Sequence, residues 1–278
     1  MSSLEAGEAA GARVPDARVP DTRVPDTRGR AGSALRRLTL TELRLFLREP
    51  AAVAWGVGFP LVLLVIFGAI PGFRSPVTKN TPGLSILDAY LPILIAFVMA
   101  MLALNALPAV LAGYREKGVL RRLATTPVGP GRVLAAQLIV NLAVTLTTLI
   151  LLAALARLAY GVPLPRQPGG FVLAVLLAAA ALLGLGMFVA AVVSTGRAAN
   201  AIGAILFFPL MFFAGLWLPI AAMPSVLQHI SHATPLGAAV QALTDSWQGH
   251  FPHPLQLLAL AAYALVFSVG AARLFRWE

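Results

Sequence analysis

Six stretches of this chain carry no Asp, Glu, Lys or Arg at all: residues 50–73, 89–114, 133–156, 167–196, 198–244 and 246–272. A helix needs about 20 apolar residues to cross the roughly 30 Å hydrocarbon core of a bilayer, so each stretch can supply one crossing. Charged residues make up 12% of the 278 positions and hydrophobic ones 59%, against a charged fraction of about 25% in soluble domains. That balance excludes a cytosolic enzyme, a disordered tail and a nucleic-acid-binding module, despite a net charge of +10. The 198–244 run is the ambiguous one. Its first half is strongly apolar, whereas its second half is broken by Pro219, Pro224, His229, His232 and Pro235. The reading is an all-α polytopic membrane protein with six spans, at about 51–70, 89–111, 133–155, 170–193, 198–218 and 255–275. Short outer helices partly re-enter before the last span.

Two segments precede the first span. Residues 1–32 hold a tandem repeat, Arg13-Val14-Pro15-Asp16-Ala17 followed by RVPDT from Arg18 and again from Arg23. Proline at every fifth position and balanced charge predict a disordered cytoplasmic arm without the apolar core of a leader. Residues 33–278 are read as the membrane domain. From Ser33, placed as an N-cap, the spacing predicts an amphipathic helix with Leu35, Leu43, Phe46 and Leu47 on one arc and Arg37, Arg44 and Arg48 opposite. Such a helix lies in the membrane interface with its arginines toward lipid phosphates and water. With the N-terminus inside, 17 Lys and Arg fall on cytoplasmic segments and 4 on outer ones, which places both termini in the cytoplasm.

Few chemistries survive a scan of the residues. The chain has no cysteine, which removes thiol catalysis and Cys-ligated metals. Its lysines, Lys79 and Lys117, lack the glycine-rich context of a P-loop, so the chain itself cannot bind ATP in that way and no cofactor is expected in it. Ionisable groups that could energise a secondary carrier sit only at span margins: Asp88, Arg157 and Asp245. Gly83-Leu84-Ser85 lacks the second glycine of a nucleophile elbow. His229 and His232 have no companion ligands, so no metal site is assigned.

The informative stretch is the charged island between spans two and three, Tyr114-Arg115-Glu116-Lys117-Gly118-Val119-Leu120-Arg121-Arg122-Leu123-Ala124-Thr125-Thr126-Pro127. Leu120 and Leu123 alternate with Arg121 and Arg122, as in a short helix docked in a partner's groove. A loop that merely anchors topology remains the plain alternative. The island, with its E-[KR]-G core, paired basic residues and proline, resembles the element after the second span in type-2 ATP-binding-cassette (ABC) permeases, especially multidrug and antibiotic exporters of the daunorubicin-resistance type. A second stretch, Phe213-Ala214-Gly215-Leu216-Trp217-Leu218-Pro219 followed by Met223-Pro224 and Thr234-Pro235-Leu236, is similar to the segment joining that family's fifth and sixth spans.

The resemblance implies a six-span half of a homodimeric exporter in the bacterial plasma membrane, not itself an enzyme, driven by a separate nucleotide-binding ATPase. Glu116, Lys117, Gly118, Arg121 and Arg122 become candidate coupling residues, alongside the interfacial helix. The cargo implied is a hydrophobic or amphipathic compound. Export of a lipid or polysaccharide precursor, or ATP-independent carriage, are the rival readings. Candidate path residues are Asn105 in span two, Asn141, Thr145 and Thr148 on one stripe of span three, and Phe208, Phe212 and Trp217 around the end of span five. Ala180-xxx-Gly184 and Gly186-xxx-Ala190 read as close-packing signals.

Overall fold

The computed structural model describes residues 27–75, 85–125 and 130–274. The RVPDT repeat, Lys79 and the end of the charged island at residues 126–129 lie outside them. Every described element is helical. Six are long and apolar enough to cross a bilayer: Pro50–Ala69, Ile86–Glu116, Gly131–Tyr160, Pro168–Val192, Gly196–Phe213 and Pro254–Leu274. Each starts where the sequence supplies a suitable N-terminus. Prolines open spans one, four and six, where a missing N–H leaves no intrahelical bond unmade. Ser85 caps span two in a capping box, its Oγ accepting from Asp88 N at 3.2 Å while Asp88 accepts from Ser85 N at 2.6 Å. The serine of the Gly-x-Ser stretch is thus a helix cap. Thr195 caps span five through Ala198 N.

Spans two and four form the centre. In their most apolar windows 72% and 67% of residues are buried, against 11% for span six and 17% for span five. Span four achieves this with small side chains that bring neighbours close. A Cβ on Gly184 would stand 3.4 Å from Phe267 of span six, and one on Gly186 would collide with the carbonyl oxygen of Ala103 in span two. Both small-residue motifs are therefore packing surfaces, aimed at different neighbours.

Three expectations are corrected. The interfacial helix begins at Thr27, not at Ser33; it starts just after Pro25, the last proline of the repeat, so Ser33 lies within it. On that helix Leu47 is 62% exposed. The face turned to the protein runs through Leu35, Leu38, Glu42, Leu43 and Phe46, a narrower stripe than the apolar arc. Span five ends at Phe213 rather than near 218, because Gly215 adopts a left-handed φ of 88° and turns the chain. Beyond it come two short helices, Ser225–Ala233 and Pro235–Gln248. The second, at 14 residues, spans about 21 Å and cannot cross a bilayer. It is buried against spans two, four and six, with Trp247 edge-on to Phe171 at 5.5 Å between centroids.

Candidate functional site

Spans one and two each contain one π-helical turn, Ala54–Gly58 and Leu102–Ala106. Their cause is local. Pro60 has no N–H for the carbonyl of Gly56, and Pro108 has none for that of Leu104. The chain relaxes into i to i+5 bonds, from Phe59 N to Ala54 O and from Leu107 N to Leu102 O. The turns touch, since a Cβ on Gly56 would lie 3.1 Å from Leu102 Cδ2. Trp55 and Asn105 sit on these turns.

Two cavities meet there. One, of about 680 Å³, is walled by spans one, two and five and the turn after span five. Trp55, Phe59, Phe67, Phe97, Phe207 and Trp217 are among its aromatic lining. Among the described residues lining it, none is charged and Asn105 alone carries an amide. The other, of about 890 Å³, lies toward the basic end of the bundle and is the more polar of the two, with Glu42, Glu49, Lys117, Gln137, Asn141 and Asn200 in its wall. Trp55, Met101 and Asn105 line both, so the two cavities adjoin at the paired π turns.

The candidate path residues divide accordingly. Asn105, Phe208 and Trp217 line the aromatic cavity, with the Phe208 and Trp217 rings stacked at 6.3 Å and an interplanar angle of 21°. Asn141 reaches the polar cavity, but donates to Gln137 O of its own helix at 2.9 Å. Thr145 and Thr148 are buried and line neither cavity; Thr148 donates to Val144 O, the back-bonding that a hydroxyl adopts inside a helical bundle. Phe212 turns aside to pack edge-on against Phe213 at 5.4 Å. Composition could not single out Trp55, Phe59, Phe97 and Phe207, since aromatic residues in an apolar run look alike. Pro60 and Pro108, at mid-span, were the visible signal.

At the basic end, span two runs on to Glu116 and breaks at Gly118, whose φ of 68° needs glycine. The link helix Val119–Ala124 follows. Leu120 is fully buried against Val133 and Ala191, which turns Arg121 and Arg122 outward. Lys117 is exposed beside them, and Arg37, Arg44 and Arg48 are exposed on the interfacial helix. Glu116 accepts from Gly196 N at 3.2 Å, at the start of span five. Glu42, unforeseen from sequence, is half-buried and accepts from Tyr114 Oη at 2.8 Å and Gln137 Nε2 at 2.7 Å. Burial raises its pKa above the usual carboxylate value, opposed by those two hydrogen bonds.

Six apolar spans around an end-to-end pair of cavities define a polytopic membrane protein with room for a solute. Residues 33–246 match the family model of the ABC-2 type transporter, and the chain belongs to that family. It is an ABC-type permease, the membrane component of a transport system. No curated protein matches it.

Proposed function

We propose that this permease exports a hydrophobic or amphipathic compound, such as a drug or antibiotic, as a homodimer energised by a separate ATPase subunit that binds ATP and Mg²⁺. The observation carrying this reading is the pair of adjoining cavities: the more polar one, at the basic end, shares Trp55, Met101 and Asn105 with a cavity of aromatic faces. Flat apolar molecules gain stacking and burial there, while the amide of Asn105 offers one hydrogen bond. A sugar chain would leave its hydroxyls unpaired against such walls, which disfavours polysaccharide precursors. The basic end is read as cytoplasmic, in the bacterial inner membrane, with both termini inside. A second copy set against exposed Val62 and Ile66 of span one and Ile205 of span five would close the open flank of the aromatic cavity.

Coupling enters at the link. ATP-driven closure of the partner pushes on Lys117, Arg121 and Arg122, with Gly118 as the bend and Glu116 at its root, and the stiff spans carry the push as rigid bodies. The test uses inverted vesicles containing the permease and its co-purifying P-loop ATPase, with doxorubicin as a fluorescent planar probe. ATP is expected to drive probe uptake. Trp55→Ala should lower that uptake about tenfold, the loss of roughly 1.4 kcal/mol of stacking, while expression is unchanged because Trp55 is already 55% exposed. Uptake that needs no ATP, or that ignores Trp55→Ala, would overturn the assignment.

A further inference from the structure

Three consecutive side chains at the root of the link leave in three directions. Tyr114 donates to both carboxylate oxygens of Glu42 on the interfacial helix, at 2.9 and 2.8 Å. Arg115 Nη1 donates to Ala190 O at 3.0 Å and Val193 O at 2.7 Å, at the C-terminal end of span four. Glu116 accepts from Gly196 N, the first residue of span five. The charges match their targets: a cation on the negative end of one helix dipole, an anion on the positive end of the next. From Glu42 the interfacial helix continues one turn to Phe46, whose ring would lie 3.4 Å from a Cβ on Gly56, in the π turn where the two cavities adjoin.

We infer that Tyr114, Arg115 and Glu116 form a transmission hub, and that Glu42 is a positioning residue linking that hub to the paired π turns. The coupling stretch thus has two halves. Lys117, Arg121 and Arg122 face outward and receive the partner, whereas residues 114–116 face the chain's own helices and distribute the displacement. This rests on the reading that a separate ATPase docks at the link. It goes beyond that reading by assigning Glu116 and the unforeseen Glu42 to work inside the permease.

The test separates docking from transmission. In this cysteine-free chain, spin labels are placed through Leu40→Cys on the interfacial helix and Ile202→Cys on span five, exposed positions outside the proposed dimer seam, and their separation is measured in the full complex with and without ATP plus vanadate. The unsubstituted hub is expected to show a nucleotide-dependent distance change. Tyr114→Phe keeps the ring but removes the donor to Glu42; it should retain the ATPase at full stoichiometry and lose at least half of the distance change. Glu116→Ala, at a surface position that tolerates truncation, should also lose the change, and Glu116→Gln should restore it because an amide oxygen still accepts from Gly196 N. Wild-type distance changes in Tyr114→Phe and Glu116→Ala would overturn the hub, as would release of the ATPase by either. If the unsubstituted chain itself retains no ATPase, the exporter reading fails and the hub falls with it.

Discussion

Reversing both charges of the link, Arg121→Glu with Arg122→Glu, is expected to release the ATPase subunit and end ATP-dependent transport while the permease still inserts and folds. The argument is geometric. Leu120 is fully buried between Val133 and Ala191 and holds the six-residue link helix to the bundle. The two arginines project away from that anchor into solvent. Substituting them removes no packing, and exposed positions of this kind change stability by only about 0.5 kcal/mol. At an interface the same reversal sets two like charges against whatever acidic groups accept them, and each such juxtaposition costs several kcal/mol. A loss of at least about 3 kcal/mol, hence more than a hundredfold in Kd, is the expected size. Titration of the purified ATPase onto immobilised permease checks it. Reversal of Arg273, in the last turn of span six, serves as the matched control. Unchanged affinity in the double variant would reduce the link to a topological anchor.

The second large effect concerns stability. Gly186→Ala and Gly203→Ala each place a methyl group on a backbone carbonyl of the same π turn, at Ala103 and Leu104 respectively. A flexible side chain could swing aside; a backbone oxygen held between two central spans cannot. Overpacking of this kind costs about 1–3 kcal/mol, and the upper end applies here. It should appear as a fall in Tm of roughly 5–10 °C in detergent. Gly113→Ala is the contrasting case. No atom lies within 4 Å of its added Cβ, and alanine improves helix propensity by up to about 1 kcal/mol. Equal melting of the Gly186→Ala and Gly113→Ala proteins would mean that the spans do not approach as closely as described.

Much of the architecture was legible because hydropathy and charge act along the chain. Runs without charge end at the first Arg or Asp, so the helices of spans one, four and six begin and end within two residues of the bounds read from them. Spans two and three are longer than read, reaching Ile86 and Glu116, and Gly131 and Tyr160, because helix ends extend past the apolar core into polar surroundings. The site was less legible, since its residues are distinguished by partners rather than by type. Thr145 and Thr148 formed a visible polar stripe, yet burial in the bundle turned Thr148 back on its own helix. Glu42 among four exposed arginines reads as a solvated charge until Tyr114 and Gln137 are seen to converge on it. Glu116 belongs to the recognisable E-[KR]-G core, but the bond it makes is to the start of span five.

Pro60 and Pro108 withdraw one backbone donor from each of two adjacent helices, at the level where the two cavities adjoin. A stretch of main chain without its full set of ladder bonds therefore borders the junction that a cargo would cross. Conditions that damp helix bending, such as cold or a stiffly ordered lipid phase, would act first at that level, and transport should slow there well before the bundle itself is destabilised.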